Sequence, residues 1–215
     1  MKLITDKASN GLTSKEFEEF LLTPITKTLI TTKEADELES QLQLGLIKYP
    51  GLGISATQLG IKKRACYIKF GNEENGRELF LVNPVITERS KEGFIFYEGC
   101  LSIPKTIAKP LRTIRSCKIK VQTDNLGELE FEINPEGDKA NDSVSVETMM
   151  TVIVQHEIDH LDGITIKDRV YNTQVIKPKS FGRNDKIVMK SLTGELIEVK
   201  YKKANNYFLQ GYEIV

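Results

Sequence analysis

The chain has 215 residues and a mass of 24.3 kDa, which suits one domain with room for a small appendage. Apolar residues make up 40% and charged residues 28%, which excludes a disordered chain. The 30 basic and 30 acidic residues cancel, so neither nucleic acid nor an anionic membrane is favoured as the main partner.

No apolar run approaches the roughly 18 residues needed to cross a bilayer. Residues 1–13 lack the apolar centre of a signal peptide and carry Asp6 and no arginine, so a cytoplasmic protein is expected. Three cysteines cannot all pair with one another, which argues against a disulfide framework and leaves thiolates available as ligands.

In chain order, Ser14–Leu22 reads as a short helix with Ser14 as N-cap. A longer helix is expected from a Thr32 cap to about Tyr49, with Leu38, Leu42 and Ile47 on its apolar face and Pro50-Gly51 ending it. The turn Gly51-Leu52-Gly53 follows. The run Lys62-Lys63-Arg64 reads as a solvated turn. Strands are expected at Ala65–Phe70, Leu79–Glu88, Gly93–Tyr97, Cys117–Thr123 and Glu128–Ile133, with turns at Gly71–Gly76 and Asp124–Gly127. Val144–Leu161 returns to helical spacing and stops at Asp162-Gly163. Three further strands are expected at Lys186–Lys190, Leu196–Tyr201 and Tyr207–Ile214, joined at Thr193-Gly194 and Asn205-Asn206. That division gives a catalytic domain over 1–170 and a C-terminal β-rich extension over 171–215.

The chain has only two histidines, in His156-Glu157-Ile158-Asp159-His160. On a helix, residues i and i+4 share a face, so His156 and His160 can bind one metal ion with Glu157 close to its water. Met149, Val152, Ile153 and His156 share that face, which turns both histidines inward. A catalytic site usually has three protein ligands. The metzincin third histidine would fall at Ile166, and a thermolysin-like glutamate no earlier than Glu195. The first pattern lacks its ligand and the second is poorly supported, which leaves cysteine as the strong candidate. Cys66 and Cys117 read as core residues, whereas Cys100 sits at a strand exit between Gly99 and Leu101-Ser102. A Cys/His/His set leaves one position open for water.

These motifs, Glu98-Gly99-Cys100-Leu101-Ser102 and the histidine pair, resemble peptide deformylase, and so does Gly51-Leu52-Gly53-Ile54-Ser55-Ala56-Thr57-Gln58. Ser55 replaces an alanine common in the family. The resemblance covers about residues 24 to 170. It implies an α+β fold, with antiparallel strands wrapped around the helix that carries the histidines. It implies hydrolysis of the N-formyl group of N-formylmethionyl peptides, with release of formate. The ion would be ferrous iron natively, with zinc, nickel or cobalt able to substitute. Cys100, His156 and His160 would be its ligands and Glu157 the proton carrier. The Gln58 amide and the Leu101 backbone N–H would stabilise the oxyanion. Leu52, Gly53, Phe96, Gly99, Met149, Val152 and Ile153 would contact substrate, although from sequence alone plain core packing is the better reading of each apolar one. Glu98 is expected to pair with Arg115 or, as the alternative, Arg112. The ribosome exit region is a further candidate partner. A hydrolase for another amide, a binding protein on the same scaffold and a structural metal site are the rival readings.

Overall fold

The computed structural model describes residues 1–6, 14–71, 76–133, 144–171, 183–191, 194–208 and 210–214. Helix α1, Lys15–Leu21, is capped by Ser14, whose side chain accepts from Phe17 N. Helix α2 runs over Thr32–Lys48, and its cap is Thr31 rather than the expected Thr32. The reason is Glu34. It lies three residues after Thr31, so its carboxylate accepts from Thr31 N while the Thr31 hydroxyl accepts from Glu34 N, closing a capping box. The buried face of α2 is Leu38, Leu42 and Leu46, spaced by one turn. Ile47, expected on that face, is rotated away and 76% exposed.

Strand β1, Gly53–Ser55, pairs antiparallel with β2, Ala65–Phe70, which pairs with β3, Arg77–Val82. The expected single strand Leu79–Glu88 is two. Asn83 adopts φ 51° and Pro84 cannot donate to a ladder, so the chain turns into a separate β4, Val85–Arg89. Strand β5, Gly93–Glu98, leads through the one-turn helix α3, Lys105–Ala108, to β6, Leu111–Ser116. β6 lies across β5 and was not anticipated from sequence. Strands β7, Lys118–Thr123, and β8, Gly127–Glu132, form the expected hairpin, with β4 on the other edge of β7. The expected turn at Gly71–Gly76 falls largely on 72–75, outside the described residues.

Helix α4, Val146–Leu161, occupies the centre, and thirteen of its sixteen residues are buried. One flank packs on Cys66, Ile68 and Leu81 of β2 and β3, another on Ile119 and Val121 of β7. The fold is therefore the expected α+β arrangement of antiparallel strands around one helix. Arg64 departs from its reading as a solvated turn, being 5% exposed. Its guanidinium donates to the Leu161 and Ile25 carbonyls and pairs with Asp162 at 2.7 Å. It thus places a cation where helix α4 leaves carbonyls unpaired.

Beyond Tyr171 lie β9, Lys186–Lys190, and β10, Leu196–Lys200, as expected. The third expected strand differs. Asn205-Asn206 and the start of Tyr207–Ile214 belong to a short helix α5, Ala204–Phe208, and only Glu213–Ile214 pairs with β9, as β11. Ile187, Met189 and Ala204 form a separate small core. Thr193 of the expected turn lies outside the described residues.

Candidate metal centre

Helix α4 begins with Ser145, whose hydroxyl accepts from Thr148 N, and carries both histidines in its last two turns. Their rings meet edge to face with centroids 4.9 Å apart. Cys100 follows β5 after a single residue, Gly99. Its backbone N donates to Thr106 Oγ1 at 2.8 Å, and Thr106 Oγ1 donates in turn to the Ile103 carbonyl. This tight loop aims the thiol at helix α4, with Sγ 3.2 Å from His160 Nε2. Single ligand atoms of Cys100, His156 and His160 lie within 4.8 Å of one another, and all three residues are buried. One soft and two imidazole donors fit a late first-row divalent ion with an open position.

The surrounding charges support that fit. Burial opposes ionisation of the Cys100 thiol, but the His160 and His156 imidazoles outweigh it and bring it down to about 5. Glu98 accepts from His156 Nδ1 at 2.8 Å, which directs Nε2 of that ring toward the ligand cluster. Glu98 is gripped by Arg115 through two contacts of 2.7 Å and also accepts from the Thr113 hydroxyl. Although burial works against its charge, Arg115 and His156 hold its carboxyl far below the usual range. Of the two candidate arginines, Arg115 is the partner. Arg112 instead stacks 4.9 Å over the Tyr171 ring. Arg115 continues to Asp159, which Arg169 grips from the other side through two bonds of 2.7 and 3.0 Å. Asp159 and Arg169 were not singled out from sequence. The available signal was a third carboxylate, after Glu147 and Glu157, in the sequence of helix α4.

Glu157 projects toward β1. Burial raises its carboxyl to about 7, against the pull of both imidazoles, and Oε2 is buried with no hydrogen-bond partner among the described residues. A Cβ on Gly53 would lie 2.6 Å from Glu157 Oε1, so glycine is what lets this carboxylate approach the strand. Gln58 follows β1 in a buried 3-10 turn, Ala56–Leu59. Its Oε1 accepts from Ser55 N at 2.9 Å and its Nε2 donates to Ser102 Oγ at 3.2 Å.

A cleft of about 310 Å³ opens above these groups. Leu52, Gly53, Gln58, Phe96, Gly99 and Leu101 line it, as do Met149, Val152, Ile153, His156 and Glu157. Cys100 and His160 lie beneath its floor, 2% and 1% exposed. Pro50, Tyr97, Ile107 and Pro110 also border it and were not expected from sequence. Ile107 comes from α3, a helix the sequence did not reveal.

Comparison with known proteins gives one answer. The model of the polypeptide deformylase family matches residues 15–175. Peptide deformylase 1 of Bacillus subtilis is 32% identical over 152 residues, covering 71% of this chain and 84% of its own length. The peptide deformylase of Prochlorococcus marinus is 29% identical over 176 residues, covering 79% and 80%. Among solved structures, a probable peptide deformylase from Synechococcus phage S-SSM7 superposes with a TM-score of 0.59 at 28% identity, covering 79% of this chain and 99% of that one. With this matched span enclosing the Cys/His/His cluster, the chain belongs to the polypeptide deformylase family, metal-dependent hydrolases that remove the N-formyl group from nascent polypeptides.

Proposed function

We propose that Cys100, His156 and His160 hold one divalent ion, natively ferrous iron, and that Glu157 carries the proton in deformylation. The observation that carries this reading is the buried Glu157 carboxylate beside the three ligand atoms, at the floor of a substrate-sized cleft. A bound ion supplies Lewis acidity, which makes water a competent nucleophile near neutral pH and polarises the formyl carbonyl. Glu157 accepts the proton from the attacking water and returns it to the leaving amine nitrogen as the C–N bond breaks, giving formate and a free N-terminus. Gln58 Nε2–H and Leu101 N–H donate to the oxyanion of the tetrahedral intermediate. Phe96, Met149, Val152 and Ile153, with Leu52, supply the apolar wall for the methionine side chain. Gly53 and Gly99 let the peptide backbone come close.

The extension 171–215 acts as an appendage to the catalytic domain. Its separate small core supports this division, as does the end of the family match at residue 175. Its hairpin end carries exposed Arg183, Lys186, Lys200, Lys202 and Lys203 against Asp185 and Glu198. That basic surface favours the ribosome exit region as a docking site and cytoplasmic work on emerging chains. No helix among the described residues is long and apolar enough to cross a membrane.

The test is formate release from a formyl-methionyl tripeptide by protein purified and iron-loaded without oxygen, beside Glu157→Ala with equal metal content. Release by the parent alone is expected. No release from a metal-loaded parent across several formylated peptides would overturn the reading.

A further inference from the structure

The Gln58 amide sits in a hydrogen-bonded setting that its proposed role does not by itself require. Oε1 accepts from the Ser55 backbone N at 2.9 Å and lies 3.2 Å from the Ser55 hydroxyl as well. Ser55 Oγ is also 3.0 Å from Thr57 Oγ1. Ser55, Thr57 and Ser102 are all fully buried, so water does not compete for these bonds. A backbone N–H can only donate, which fixes the oxygen of the amide on the Ser55 side and the NH2 on the Ser102 side.

The hydroxyls then have one arrangement that uses both donors well. Thr57 Oγ1–H donates to Ser55 Oγ, and Ser55 Oγ–H donates to Gln58 Oε1. In the reverse order Gln58 Oε1 keeps a single donor. With the relay in place, one Nε2 hydrogen goes to Ser102 Oγ and the other is left for the cleft that Gln58 lines. A second donor on Oε1 draws electron density toward the oxygen and makes the N–H groups better donors, since hydrogen bonds in series polarise one another. It also holds the amide against rotation.

We propose that Ser55 is a positioning residue for the oxyanion hole, acting through Gln58 Oε1 by way of a Thr57–Ser55–Gln58 hydroxyl relay. This rests on the oxyanion role proposed for Gln58. Ser55 touches neither substrate nor the ligand atoms, so its effect belongs to the transition state, where charge develops on the oxygen.

Two measurements test it. In steady-state kinetics on the iron-loaded protein, Ser55→Ala is expected to lower kcat about three- to tenfold with KM unchanged, the range one hydrogen bond supplies. In a Gln58→Ala background the same change is expected to have no further effect. A risen KM at constant kcat, or an equal loss in both backgrounds, would overturn the proposal and leave Ser55 as packing. The second measurement needs no turnover. The Gln58 side-chain NH2 pair in a 1H–15N spectrum of the zinc-loaded protein is expected to shift upfield and broaden in Ser55→Ala. An unchanged pair would overturn the relay even if the parent released no formate, which keeps this question separate from the deformylase reading.

Discussion

Two regions of this molecule are rich in charge and use it oppositely. Beneath the cleft, Glu98, Arg115 and Asp159 are buried and joined in one chain that ends on His156 Nδ1 and on Arg169. In the C-terminal hairpin, Lys186 and Glu198 meet at 2.6 Å with both side chains more than half exposed. The distances are alike and the consequences are not. Water screens the hairpin pair and offers each partner an alternative. Under the cleft there is no alternative, so removing one member strands the others in low dielectric. Buried ions are costly, and here that cost holds the His156 ring, a proposed metal ligand, in one orientation.

This contrast can be broken or sharpened by substitution. The largest effect is expected for Glu157→Ala with metal retained, a fall in kcat of about 10²- to 10⁴-fold, the range of a positioned acid–base group. Metal analysis alongside the kinetics checks it. Close behind, Glu98→Ala should cost about 3–5 kcal/mol of unfolding free energy, read from urea transitions. It should also weaken metal affinity about 10- to 100-fold, read by competition with a chelator. Glu98→Gln keeps the shape and one acceptor and should lose less of both. If it behaves like alanine, charge rather than hydrogen bonding holds His156.

Gly53→Ala comes next. The new Cβ would meet Glu157 Oε1 at 2.6 Å and Ile153 Cγ2 at 2.8 Å. Displacing the proton carrier should reduce kcat by about tenfold to a hundredfold, while the melting temperature moves by only a few degrees. An active Gly53→Ala would mean that Glu157 has room the structure does not indicate. The smallest effect is expected in the hairpin. Lys186→Ala should leave tripeptide kcat/KM unchanged and shift melting by no more than about 1 °C. A large loss there would make the C-terminal unit part of the catalytic machinery and erase the comparison.

Legibility followed the range of the interactions. Helix α4 was readable because its apolar spacing and its histidine pair are local. Strand β2 and the β7–β8 hairpin were readable for the same reason. Strand β6 was hidden because Leu111–Ser116 mixes charge and apolar side chains with no clean period of two. Its arginines are explained only by what they meet, Glu98 and Asp159 for Arg115 and the Tyr171 ring for Arg112. The third C-terminal strand failed because the aromatic residues Tyr207 and Phe208 have strand propensity, yet they pack as a short helix against β9 and β10, a tertiary override of a local preference. Arg64 misled because a cationic run looks solvated until a helix C-terminus is brought to it.

The sequence by itself determined the family of this protein and the residue types available for its chemistry. Two histidines one helical turn apart, a glutamate between them and a cysteine at a strand exit supply the ligand types and the proton carrier proposed above, because those properties belong to side chains and to the helix period. Only the tertiary structure decided which groups hold that chemistry in place. Glu98 finds Arg115 and His156, Gln58 finds Ser102, and Glu157 rests against Gly53, across 17 to 104 residues of chain. Burial is what gives those meetings their force, and burial is a property of the packed molecule rather than of any segment.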